Sequence, residues 1–155
     1  MPESHEWTHS PSGFHRSEVS ASLGSGEALW RRAVSDVLRW KVKTRSGFRV
    51  DSNNPVRQGQ SVIVTVSALG FTVVEPVEVV SVVSLPDRVG FAYRTLPGHP
   101  VNGEEAFIVH RRGGEVFLTI RALTRSAPEQ PWRLLFPALS LMQRVVRQRY
   151  LRSLS

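Results

Sequence analysis

Tyr93-Arg94-Thr95-Leu96-Pro97-Gly98-His99-Pro100-Val101-Asn102-Gly103-Glu104-Glu105-Ala106-Phe107 reads as two strands joined by a loop that two prolines stiffen and two glycines loosen. Strand-like sequence continues on both sides, from Val89 to Thr95 and from Glu104 to Arg111. A third strand, Glu115 to Leu123, follows across Arg112-Gly113-Gly114. Upstream, the β-branched run Val77 to Ser84 enters through the turn Leu85-Pro86-Asp87-Arg88. Short joints between strands favour hairpins, so the centre of the chain is a meandering antiparallel sheet.

Working outward, Ser61 to Leu69 alternates, with Val62, Val64 and Val66 on one side and Ile63, Thr65 and Ser67 on the other. Phe71 to Glu75 is a further short strand or a bulged extension. Before the sheet, Leu29, Trp30, Ala33, Val34, Val37, Leu38 and Trp40 recur at helical spacing, which predicts one helix from about Gly26 to Lys41. Ser25 suits its N-cap and Glu27 its first turn. Trp30 and Trp40 are expected as core anchors. Phe14 to Leu23 is a first strand, and residues 1–13 are a loose polar leader ahead of a single domain over 14–155. Beyond the sheet, Pro128 and Pro131 mark a linker. Pro137 suits the first turn of a long terminal helix to Arg152, with Leu139, Met142, Val146 and Tyr150 in its apolar stripe.

Strand, helix, about six strands, long helix: this order predicts an α+β domain. A curved antiparallel sheet of about six to seven strands wraps round the C-terminal helix and buries both. The order resembles the helix-grip arrangement of the lipid-transfer and pollen-allergen superfamily, with one N-terminal helix where that superfamily often has two. Longer strings point to a family. Gly90-Phe91-Ala92-Tyr93-Arg94-Thr95-Leu96-Pro97-Gly98-His99-Pro100 and Gly103-Glu104-Glu105-Ala106-Phe107 carry it, with Val79 to Pro86, Leu38-Arg39-Trp40 and the Gln143 to Leu151 pattern. On these the chain is similar to the bacterial and plant family described as domain of unknown function 1990, from about Gly13 onward. The resemblance implies no activity that can be carried across residue by residue.

Composition narrows the chemistry. With no cysteine there is no disulfide framework, thiolate metal site or cysteine nucleophile. No apolar run approaches the roughly 20 residues of a membrane span, and the first residues lack a signal peptide's pattern, so a cytoplasmic location is expected. The net charge is +7, almost all of it from arginine; Lys41 and Lys43 are the only lysines. The basic residues are spread along the chain where a nucleic-acid footprint would cluster, which argues against nucleic acid as partner. No phosphate-binding glycine loop, nucleophile elbow or cofactor motif is present, and the scattered histidines give no metal site.

Three functions stay open. A cavity between sheet and helix would hold a small amphipathic or apolar ligand. Its lining would draw on Tyr93, Thr95, Glu105 and Phe107, one alternation set of the central hairpin, with His99 on the loop. Arg121 joins them if Phe117, Thr119 and Arg121 face inward; it then needs a carboxylate such as Glu105, or a bound anion. The other set, Val116, Leu118 and Ile120, can equally be the inner one. An enzyme would use His99 with Glu104 or Glu105 and Tyr93 as acid and base. His99 and a glutamate can equally brace the loop. An interaction domain would act through Arg144, Arg147, Arg149 and Arg152 on the terminal helix.

Overall fold

The computed structural model describes residues 2–4, 15–68, 70–97, 101–126 and 145–155. In chain order these form β1 (His15–Ser25), α1 (Glu27–Val37), α2 (Lys41–Thr44), β2 (Phe48–Val50), β3 (Ser61–Ala68), β4 (Phe71–Leu85), β5 (Arg88–Thr95), β6 (Val101–Arg112) and β7 (Glu115–Ser126). Residues 145–152 are helical. The strands make one seven-stranded sheet in the order β1-β7-β6-β5-β4-β3-β2. Strands β3 to β7 are the expected meander, all antiparallel; β2, which the sequence reading did not place, pairs with β3, and β1 returns to pair with β7. Two-residue turns at Pro86–Asp87 and Gly113–Gly114 set the register of two hairpins, the second with positive φ at both glycines. Phe71 to Glu75, expected as a short strand or a bulged extension, is the start of β4, which is continuous to Leu85 and shifts register against β5 between Val79 and Ser81.

One face of every strand from β3 to β7 feeds a single core. Val62 and Val64, Val77 and Val79, Phe91 and Tyr93, Phe107 and Val109, and Val116, Leu118 and Ile120 pack with Trp30, Ala33, Val37 and Trp40. Tyr150 and Leu154 close it from the C-terminal segment. The sheet curls round these elements, so this face is concave. Strand approach is close at Gly90, where a Cβ would lie 2.3 Å from the Phe107 carbonyl oxygen. The convex face carries a small second cluster of Ala92, Ala106 and Ile108.

Two expectations about the helices are corrected. The single helix over Gly26 to Lys41 is two helices. The first stops at Val37, and Trp40 adopts φ 63°, ψ 18° before α2 starts. Apolar spacing runs straight through this break because Trp40 is buried on either reading; periodicity registers burial and not φ. Ser25 is the last residue of β1, and Gly26 is the N-cap, with φ 106° and no side-chain cap. The backbone N–H of Gly26 instead bonds the Gly114 carbonyl at 3.1 Å, fastening the helix start to the β6–β7 turn.

A long terminal helix was expected, and only its C-terminal part falls among the described residues. It spans 145–152 among the described residues, and the proposed start at Pro137, with Leu139 and Met142, lies outside them. Its last turn is closed by Ser153, whose hydroxyl donates to the Tyr150 carbonyl at 2.6 Å. Tyr150 is its buried anchor, Leu154 just beyond it is buried too, and α1 and Trp40 also pack on the concave face. Part of the expected loose leader is held in place. Pro2 is buried, and the Arg88 guanidinium donates to the carbonyls of Pro2 and Ser4 at 2.6 and 2.7 Å.

Candidate functional site

Register decides which expected residues meet. Tyr93 pairs with Glu105 and Phe91 with Phe107 across β5 and β6, and Thr95 pairs with Val77 on β4. Tyr93, Thr95, Glu105 and Phe107 therefore share one face, as the alternation predicts, and it is the concave one. Val116, Leu118 and Ile120 are the inward set of β7.

Arg121 consequently points the other way, a correction to its place among the ligand-binding residues. It is buried on the convex face and bonds Glu18, directly opposite on β1. Glu105, on the opposite face, is not its partner. Glu104 is paired with Arg94 and Leu123, on the convex face. His99 lies outside the described residues, so the acid-base constellation is described without it. The base of its loop is fixed where it is described: the Gly103 N–H donates to Thr95 Oγ1 at 3.0 Å.

The concave face gathers a polar cluster that includes two residues the sequence reading did not single out. Lys43, on α2, is buried, and its ammonium lies 3.7 Å from Glu75 Oε2 and 3.7 Å from Glu105 Oε1. The Tyr93 hydroxyl donates to the same Glu105 oxygen. Aromatic rings form the walls. The ammonium sits 4.2 Å from the Phe48 ring centroid, 5.2 Å from Tyr150 and 5.5 Å from Tyr93. Such contacts favour a desolvated cation. Behind Tyr93 stands Trp40, its ring centroid 5.4 Å from that of Tyr93 and 4.7 Å from that of Phe91. Trp40 is fully buried, yet its Nε1–H has no hydrogen-bond partner among the described residues. A second unpartnered buried atom, Ser17 Oγ, lies on the row that runs Ser17, Ala122, Glu105, Tyr93 across the sheet.

Electrostatics follow from burial. Desolvation pushes the Glu75 carboxyl above its ordinary pKa, and the Lys43 ammonium pulls it partway back. Burial first, and the Glu105 charge second, hold the Tyr93 phenol well above its usual range. Tyr150 is raised well above its range by burial and then by Glu105 and Glu75. Both phenols therefore keep their protons at neutral pH, and Tyr93 serves as a donor. No group of three or more metal-ligating side chains occurs among the described residues.

A signal for the missed residues was present. Glu75 falls in the inward set with Val73, Val77 and Val79, where a carboxylate is out of place on a core face. Lys43 is one of two lysines in a chain that otherwise uses arginine. The basic terminal face is only partly open: Arg149 and Arg152 are exposed, Arg147 is half-buried, and Arg144 lies outside the described residues. No helix among the described residues is long and apolar enough to cross a membrane.

Known proteins place the chain. The UPF0548 protein of Deinococcus radiodurans is 34% identical over 140 residues, an alignment covering 79% of this chain and 65% of that protein. The chain thus spans just under two-thirds of that relative's length. Among solved structures, a hypothetical protein from Helicobacter pylori superposes with a TM-score of 0.63 at 14% identity, covering 91% of this chain and 84% of its own. Ara h 8.0201 superposes with a TM-score of 0.55 at 12% identity, covering 92% of this chain and 98% of its own. At these identities the likeness is one of fold, and the fold is the helix-grip type. The family described as domain of unknown function (DUF1990) matches residues 2–153, and the strings around Tyr93 and Glu105 had pointed there: the chain belongs to the DUF1990 family.

Proposed function

We propose that the protein binds a small amphipathic or apolar molecule between the concave sheet face and the elements packed on it, oriented by Lys43, Glu75, Tyr93 and Glu105. The observation that supports this is the charged cluster set among aromatic rings on the core face. Burying an ammonium with two carboxylates is weak or costly as a stabilising device, and apolar residues of similar volume would serve a core as well or better. A few polar groups on apolar walls are what an oriented ligand site uses. The test is native mass spectrometry of protein purified from its source. The expected result is a bound small molecule that leaves on denaturation and is depleted in Lys43→Met. Protein of apo mass only, with no thermal shift from neutral apolar probes, would overturn the reading.

One contact favours a second reading, an acid-base enzyme. Tyr93, held protonated, donates to Glu105 beside Lys43, and Glu75 has its basicity raised by burial. Tyr93 would then be the proton donor and Glu75 the base, with His99 available from the loop. Turnover of the co-purified molecule by wild type, lost in Tyr93→Phe with binding retained, would select this reading.

A further inference from the structure

The rings on the concave face pack on one another. Phe91 lies against Phe107 and Tyr93, with ring centroids 5.7 and 6.4 Å apart, and Trp40 lies against Phe91 and Tyr93. A molecule reaches such a face only when an element covering it moves. Helix α1 packs on β5 and β6. Beneath it their inward residues run from Val89 and Val109 to Phe91, Phe107 and Tyr93. Of its eleven residues, Trp30, Ala33 and Val37 are buried. Lifted off its support, a helix this short holds few of its own hydrogen bonds.

The two ends of α1 are fastened differently. Beyond its C-terminal end, the Leu38 carbonyl accepts from the Val56 N–H at 2.8 Å, Asp36 accepts from Arg45 at 3.0 Å, and Trp40 is fully buried. The N-terminal end has no side-chain cap. One guanidinium holds it: Arg111, on β6, donates to Glu27 at 2.7 Å and to Asp87 and the Pro86 carbonyl at 3.1 Å each, and lies 4.6 Å over the Trp30 ring. Glu27 also meets Arg31 at 3.5 Å, a contact that travels with the helix. The Arg111 side chain is 27% exposed, so its pairs are open to salt. The one backbone bond beside it runs from Gly26 to Gly114. Gly24 and Gly26, at φ 122° and 106°, lead into the helix with backbone free to change angle.

We propose that α1 is a lid over the concave face, swinging out about its anchored Leu38–Trp40 end when the Arg111 latch parts, and that this motion sets the rate at which an apolar ligand enters. This rests on the ligand-binding reading and adds the gate to it.

Native-state hydrogen exchange of the full chain tests the lid without a ligand. In wild type the amides of Arg31 to Val37 should exchange through an opening that leaves β5 to β7 protected. Arg111→Met should speed that exchange roughly tenfold, the combined loss of its ion pairs and its cation–π contact. The second measurement uses Nile red, a neutral dye that fluoresces in apolar surroundings, mixed with protein in stopped flow. At high dye concentration the binding rate should level at the opening rate, and that level should rise roughly tenfold in Arg111→Met. In wild type the level should also rise in about 1 M sodium chloride, which screens the latch, and in Arg111→Met it should not. This salt comparison reads the latch in the wild-type chain should the variant fold poorly. A rate that climbs with dye and never levels, a level indifferent to both salt and Arg111→Met, or α1 amides that exchange only together with the strands overturns the lid and leaves the ligand-binding reading standing. Failure of Nile red to bind overturns both.

Discussion

Replacing Lys43 by methionine removes a cation that Glu75 and Glu105 share while keeping most of the side chain's apolar bulk. At 3.7 Å and an effective dielectric near 20, each pair is worth roughly 4 kcal/mol of Coulomb energy. The two carboxylates keep 13% and 18% of their side-chain surface exposed, so water returns part of that loss. The expected net destabilisation at pH 8 is about 3–5 kcal/mol, the range for breaking a buried pair from one side. The pH dependence follows from Glu75, whose folded pKa already lies above its unfolded value. A carboxyl raised on folding supports stability fully below its unfolded pKa and loses that support as pH rises through the folded one. Without Lys43 the pull that holds the Glu75 pKa partway down is lost, so the variant should regain stability as pH falls from 8 towards 5, more steeply than wild type. Equilibrium urea unfolding, followed by tryptophan fluorescence at both pH values, reads both quantities. A loss below about 1 kcal/mol at pH 8, or parallel pH profiles, would refute the view that this ammonium neutralises two buried carboxylates.

Other outcomes follow from packing. Gly90→Ala forces a Cβ onto the Phe107 carbonyl and should cost at least about 1–3 kcal/mol in urea unfolding, since backbone cannot move aside cheaply. Leu154→Ala should cost about 2–5 kcal/mol, because this terminal side chain is 1% exposed; a loss under half a kcal/mol would detach the C-terminal segment from the core. Glu18→Gln strips a buried Arg121 of a carboxylate that is itself 44% exposed, for about 1–2 kcal/mol by urea unfolding after allowance for solvent. Retention of a bound molecule should not change in that variant, since the pair lies on the convex face.

How far the sequence carries is clearest at particular residues. The alternation of Val62 and Val64 against Ile63, and of Tyr93 and Glu105 against Arg94 and Glu104, fixes which side chains share the concave face, because a strand has a period of two and a slip by one residue would expose the core. The turns at Pro86–Asp87 and Gly113–Gly114 then settle the register. Two things escaped. The break at Trp40 is a change in one φ angle inside an unbroken apolar period. Lys43 owes its place beside Glu75 and Glu105 to that break, so nothing local to Lys43 announces it. Arg121 shows the opposite limit: its alternation set was legible, but which face it took depended on its partner Glu18 across the long-range β1 pairing.

The pairing of β1 with β7 also has a temporal side. Strand β1 spans His15–Ser25, and its neighbour spans Glu115–Ser126. During synthesis at about 5–20 residues per second, the first strand waits roughly 5–20 s before its partner leaves the ribosome. Throughout that interval Val19, Ala21 and Leu23 line an unpaired edge with no sheet to join. The nascent chain therefore carries β1 without its sheet partner for most of synthesis. Pulse-labelled hydrogen exchange during refolding should accordingly find the β1 amides protected last.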